Sequence, residues 1–276
     1  MEYVPQALAS IAAIVGPAAT IIGLIHSRGW LAVMGAVFAA AAIAFYVYAR
    51  RQNQRLNSAV IEIEGISIDA TNAANLRRRV NRTLMIQSAE QSVTIDGPDL
   101  DMVWRYAGYC RADHETSLEF SVDSTHAIPF SDLDCYAHDL RRDPDKKHKI
   151  EPLLLGPDGI SKKIAVPFLE PLRSNEPFDV SLHCRMPDTY RAGIGYYTSS
   201  LSLDQKRVGR LAVHLRFTRS RPKWVRVYSC EPAAGPRLLK SLYPVREDDD
   251  EIEYRDLAEN LSAQSTRIYL FKRDEF

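Results

Sequence analysis

FDVSLHCRM, residues 178–186, decides the fold class. Phe178, Val180, Leu182, Cys184 and Met186 fall on one side of an extended chain, and Asp179, Ser181, His183 and Arg185 on the other. Successive side chains of a strand point to opposite faces, so this is a strand with one face buried. Leu211, Val213, Leu215 and Phe217 repeat the pattern, with His214 and Arg216 between them. Working outward, the segment 102–111 puts Trp104, Tyr106 and Cys110 on one face. Leu118, Phe120 and Val122 alternate with polar residues, and Leu133, Cys135 and Ala137 follow. Strands are also expected over 60–68, 83–87, 92–95, at Val225 and Val227, and over 267–272. Gly156-Pro157-Asp158-Gly159 supplies turn geometry for a hairpin between 149–155 and 160–168. A short helix is expected around 254–262. Eight to ten short strands with frequent turns predict an immunoglobulin-like β-sandwich, with a β-barrel as the alternative.

A different regime holds before residue 50. VPQALASIAAIVGPAATIIGLI (4–25) and WLAVMGAVFAAAAIAFYVY (30–48) contain no charged side chain. A helix rises about 1.5 Å per residue, so about 20 apolar residues span a hydrocarbon core of about 30 Å. Four residues separate the runs, which predicts an antiparallel transmembrane hairpin over 1–49. A polar linker at 50–58 (RRQNQRLNS) and a β-rich sensor domain over 59–276 complete the expected organisation. The first run lacks the basic start of a signal peptide. Arg50, Arg51 and Arg55 outnumber the single Arg28 of the turn, which predicts both termini in the cytoplasm and a two-pass inner-membrane protein. Ala12 and Gly16, Ala19 and Gly23, and Gly35 and Ala39 are small residues four apart, suited to close helix packing in the hairpin or between protomers of a homo-oligomer. Pro17 after Gly16 is placed for a kink. The lipid bilayer is then a partner, and with no ionisable group in either run a proton relay is disfavoured.

The chain has 35 Lys and Arg against 35 Asp and Glu, so it is not a polyelectrolyte. Its four cysteines, Cys110, Cys135, Cys184 and Cys230, form no C-x-x-C pair and read as small core residues of a reducing compartment, with one disulfide as the alternative. Between Lys206 and Arg226 there are eight basic residues and no acidic one. Guanidinium groups suit phosphate because they donate paired hydrogen bonds. Arg216, Arg219, Arg221, Lys223 and Arg226 are the candidate phosphate contacts, with Trp224 as a stacking platform for a nucleotide or oligonucleotide. A solvated strand face is the plain alternative. The acidic run 247–251 is expected as an exposed loop, or as a partner for the basic stretch of a neighbouring protomer. His138, Asp139, Asp143, Asp145 and His148 crowd one polar loop without metal-ligand spacing. No G-x-S-x-G, H-E-x-x-H or P-loop pattern occurs, so neither an enzyme nor a cofactor is expected.

Two apolar runs (4–25 and 30–48) followed by a β domain with a basic stretch resemble the two-transmembrane, β-rich membrane effectors of bacterial anti-phage systems. The resemblance implies a nucleotidyltransferase partner that makes the nucleotide signal, a β domain that senses it, and assembled helices that open or disrupt the membrane. The competing expectation is an adaptor, a tethered β-sandwich that recruits a protein partner and conducts nothing.

Overall fold

The structure is a computed structural model. It describes residues 60–63, 66–69, 81–124, 126–156, 158–190, 193–200, 205, 207–231, 235–262 and 266–273, with six positions between Val33 and Ala44. Two compact units divide the chain, Met1–Val60 and Ile61–Phe276.

The second unit begins within β1 (Val60–Ile63), followed by β2 (Ile66–Asp69), β3 (Leu84–Asp96), β4 (Asp99–Cys110) and β5 (Glu115–Asp123). A 3-10 turn at Phe130–Asp132 precedes β6 (Tyr136–Asp139), β7 (Leu153–Leu154), β8 (Ser161–Leu172) and β9 (Pro177–Met186). Then come β10 (Ile194–Ser200), β11 (Arg207–Thr218), β12 (Pro222–Glu231) and β13 (Gly235–Leu242). β14 (Pro244–Glu247), β15 (Glu251–Ser262) and β16 (Thr266–Arg273) complete the chain.

These strands form an open seven-stranded sheet, β14-β15-β11-β3-β4-β9-β6, and smaller sheets β10-β16-β12-β13, β5-β8-β7 and β1-β2. The four- and three-stranded sheets lie on the same face of the large one. Trp104 of β4 shows this, because its Nε1 donates to Tyr197 Oη of β10 at 3.2 Å while its ring lies 6.5 Å from Phe120 of β5. Phe217 against Phe271 (5.0 Å) and Phe168 against Phe178 (6.0 Å) extend the layer to either side. The inward row of 178–186 is buried throughout, as its alternation demands. Ile63 of β1 packs on Tyr228, Ile268 and Leu270, the outer side of the four-stranded sheet.

Two local devices keep the long strands in register. β3 bulges between Ile86 and Ser88, and there β4 must carry glycine: a Cβ on Gly108 would lie 1.9 Å from Met85 O. Beside the same bulge the Gln205 amide stands in for backbone, accepting from Ile86 N (2.9 Å) and donating to Ile86 O (2.7 Å).

The expected fold needs correction. Among the described residues the elements from Val60 onward are β-strands apart from one 3-10 turn, the six described positions between Val33 and Ala44 are helical, and no helix is long and apolar enough to cross a membrane. Hydropathy reports which solvent a segment prefers; it does not establish a continuous spanning helix. The residues that carried the hairpin expectation, Ala12, Gly16, Pro17, Ala19, Gly23, Gly35 and Ala39, lie outside the described residues. The layered β arrangement fits a sandwich, but not the immunoglobulin plan: the large sheet is mixed, with β3 and β11 parallel. Among the described residues it is not a closed barrel either, since β14 and β6 are the two ends of the same sheet. The helix expected at 254–262 is strand β15, because Ile252, Tyr254 and Asp256 turn inward at period two.

Two of the four cysteines are not plain core thiols. Cys135 and Cys184 form a disulfide, while Cys110 and Cys230 are free. Tyr136 faces His183 across β6 and β9, so the next residue outward, Cys135, meets Cys184 directly. Leu133, Cys135 and Ala137 share one row, which marks Cys135 only as inward-facing, and the pairing of β6 with β9 shows what it faces.

Candidate functional site

The basic stretch 206–226 does not converge on one site. Arg216 stands on the outer face of β11, Arg219 and Arg221 in the β11–β12 turn, and Lys223, Trp224 and Arg226 on β12. The chain's own acidic groups meet three of the arginines. Arg216 Nε lies 3.4 Å from Glu251 Oε2, Arg219 Nε 2.9 Å from Asp96 Oδ1, and Arg221 Nη1 2.8 Å from Glu247 Oε1. Arg221 Nη2 also donates to Asp248 O at 2.6 Å. The acidic run therefore pairs within its own chain: Glu247 ends β14, Glu251 opens β15, and Arg246 Nη2 reaches Asp248 Oδ2 at 2.6 Å. Arg226 lies over the Trp224 ring, 4.6 Å from its centroid, so the predicted stacking platform already carries a cation.

Across the open face of the large sheet the charges interlock as well. Arg105 holds Asp179 with two hydrogen bonds (2.8 and 2.6 Å) and lies 3.9 Å from Glu90. His214 lies between Glu90 (3.8 Å) and Glu253 (3.4 Å), and Arg255 Nε donates to Glu253 at 2.9 Å. The bonds from Arg255 and His214 outweigh burial and hold the Glu253 carboxyl below its usual range. Carboxylates and basic side chains interleave across five strands, so this face offers an anion no field of one sign.

Between the sheets lies a second polar system. Tyr197 Oη accepts from Trp104 and donates to Gln91 Oε1 at 2.9 Å; burial raises Tyr197 strongly and pushes Tyr106 up to about 12. Farther along, Asp256 of β15 is 1% exposed. It accepts from Tyr269 Oη at 2.7 Å and from Arg267 Nη1, and its Oδ1 lies 2.6 Å from Lys240 Nζ of β13. Burial works against its charge, but Lys240, Tyr269 and Arg267 together keep the carboxyl below the ordinary range. This cluster ties β13 and β16 to β15 across the layer.

The polar loop 138–148 is a structural turn. Asp139 Oδ1 accepts from the amides of Arg141 and Arg142, and Asp143 Oδ2 from that of His148. Among the described residues no group of three His, Cys, Asp or Glu side chains could hold a metal. A cleft of about 590 Å3 opens between Asp113, His114 and the β8–β9 turn. Its central cation, Arg142, is already shared by Glu176 (2.6 Å) and Glu170 (3.2 Å).

One region is unlike the rest. Every residue from Pro236 to Asp250 is exposed save the half-buried Leu242. An edge strand of a sandwich ordinarily buries one face; β13 turns only Lys240 and Leu242 towards the layer and β14 buries no residue, although both carry apolar side chains. Leu238 is 50% exposed, Leu239 42%, Tyr243 82% and Val245 55%, with Leu257 of β15 at 52%. β13 ends the four-stranded sheet and β14 ends the seven-stranded one, so among the described residues each has one unpaired backbone edge. The sequence gives weak warning of this arm. RLLKSLYPVRE lacks strict alternation, and Pro236 and Pro244 read as loop residues.

No family model and no curated protein matches the chain. Among solved structures, the M1 zinc metallopeptidase of Deinococcus radiodurans is 11% identical, with a TM-score of 0.42, covering 69% of this chain and 43% of that one. A putative protease from Parabacteroides distasonis is 9% identical at a TM-score of 0.39, covering 68% and 40%. The chain thus spans less than half the length of these proteins. The resemblance is a weak one of fold and does not bear on whether this chain is an enzyme.

Proposed function

We propose that the β domain is a recruiting module, and that the arm Pro236–Asp250 is where it takes a protein partner. The observation that carries this is the exposure of Leu238 and Leu239 on β13, Val245 on β14 and Tyr243 between the two strands. Covering such a side chain fully is worth roughly 1.5–3 kcal/mol, and large exposed apolar groups gathered in one stretch of chain suit a contact surface. Tyrosine at the tip suits this role, because it brings a large apolar ring and a hydroxyl at little entropic cost. The recruiting reading is favoured over nucleotide sensing because Arg216, Arg219 and Arg221 are neutralised within the chain. In the effector expectation this arm would be the part through which assembly occurs.

Photo-crosslinking in cells tests the reading. The full chain carries a photoreactive phenylalanine analogue at Tyr243 or, as control, at exposed Ser92 on the open sheet face. The expected result is a protein adduct from position 243, lost on Leu239→Glu and absent from position 92. Equal adducts from both positions, or none from 243, would overturn it.

A further inference from the structure

We propose that β1–β2 is a displaceable strap over the outer face of the four-stranded sheet, and that its release extends the recruiting surface from β13 onto that face. This rests on the recruiting role argued above and adds its regulation.

Alternation along β16 carries the inference. Tyr269 and Phe271 point into the layer, so Ile268 and Leu270 point out of it. The outer face of a packed antiparallel sheet is ordinarily solvated. Here Ile268 is 1% and Leu270 0% exposed, and Tyr228, the cross-strand partner of Ile268 on β12, is buried as well. Ile63 of β1, itself buried, forms one cluster with these three side chains, and the partly buried Tyr196, Trp224 and Cys230 pack against it. The face is apolar, and β1 covers it.

Register joins this face to the recruiting arm. Tyr228 pairs with Leu238 of β13, and directly opposed residues share a face. The half-exposed Leu238 therefore stands at the rim of the surface that Ile63 covers. Among the described residues β1 and β2, four residues each, pair only with each other, so the strap rests on the sheet through side chains. A lone two-stranded hairpin is marginal without a face to pack on, which makes it the easiest layer to lift. Seated, the strap leaves a partner Leu238 and the rest of the arm. Lifted, it adds Tyr228, Ile268 and Leu270 to the same contact. A partner that binds the uncovered face more tightly shifts the strap towards release by that difference in affinity.

Alkylation of the unreduced, folded full chain reads the strap. Cys230 lies against the covered cluster, while Cys110, 0% exposed, reports whether the sandwich itself stays closed. Ile63→Asp should speed Cys230 alkylation about tenfold or more and leave Cys110 protected, because the apolar seat is lost. Ile63→Ala, which removes apolar area without adding charge, should speed it severalfold. In cells, a photoreactive phenylalanine analogue at Leu238 should give a protein adduct at severalfold higher yield when Ile63→Asp is also present. If Ile63→Asp exposes Cys110, Ile63→Ala decides by the same two readings. Cys230 alkylation unchanged by either substitution overturns the strap. Faster alkylation with no gain of adduct at 238 overturns the regulation, while the adduct at 243 still upholds the recruiting role. No adduct from 238 or 243 refutes the recruiting role, whatever the alkylation rates show of the strap.

Discussion

Replacing Asp256 by alanine should be among the most damaging single changes in the β domain. The carboxylate is 1% exposed and sits between Arg267, whose side chain is 12% exposed, and Tyr269, with Lys240 on the outer side at 44%. Breaking a buried ion pair from one end costs about 3–5 kcal/mol, because the other charge is left dry. The orphaned Tyr269 hydroxyl alone would cost about 1–3 kcal/mol, but it shares the same cavity and the two costs do not add. Lys240 can turn to water, so its share is about 0–1 kcal/mol. Asp256→Ala should therefore cost about 4 kcal/mol and Lys240→Ala less than about 1 kcal/mol. For a domain of this size that is a fall in melting temperature of about 8–16 °C for the first and a few degrees at most for the second. Thermal unfolding of the full chain, followed by tyrosine and tryptophan fluorescence, reads both. The pH dependence has a definite sign. The folded carboxyl lies below its unfolded value, so its contribution is complete above about pH 4 and is lost as the pH falls through the folded value. The gap between wild type and Asp256→Ala should narrow on acidification. An Asp256→Ala cost within about 1 kcal/mol of wild type, or equal to that of Lys240→Ala, would refute the reasoning.

Further outcomes follow from other sites. Denatured and unreduced, the chain should expose two alkylatable thiols, Cys110 and Cys230, and four after reduction. With Cys135 and Cys184 separated by 49 positions in sequence, the crosslink should stabilise by about 4 kcal/mol over the double serine variant, and four free thiols in chain recovered from cells would restore the reducing-compartment reading. Gly108→Ala should cost about 3 kcal/mol or more, since its Cβ would meet backbone that cannot yield; chemical denaturation checks this. Arg221→Ala should change stability by less than about 1 kcal/mol, because both Arg221 and Glu247 are about half exposed. Charge reversal at Arg219, whose partner Asp96 lies on β3 and not on the arm, should leave the Tyr243 adduct unchanged; its loss would return the basic turn to the centre of the function.

Strands were legible in the sequence where one face is buried and the other wet. FDVSLHCRM and LAVHLRF announce β9 and β11, because burial of alternate residues writes period two into the chain. The 254–262 stretch misled, because buried Asp256 breaks the apolar row that its own strand makes; only the pairing with Lys240, Arg267 and Tyr269 explains a carboxylate there. β13 and β14 were illegible for the opposite reason: with only Lys240 and Leu242 turned towards the layer, nothing imposes alternation. The arginines of 206–226 looked like one patch because sequence proximity was the only guide. Their partners Asp96, Glu247 and Glu251 come from other strands, and the resulting neutralisation is a property of the fold.

Amide hydrogen exchange across Pro236–Glu247 tests the central claim most directly, comparing the assembly recovered from cells with the same chain after dispersal. The account predicts fast exchange in the dispersed chain and slowing by at least tenfold in the assembly, with β3 and β4 slow in both. Slow exchange of the arm in the dispersed chain, or equally fast exchange in the two states, would contradict it.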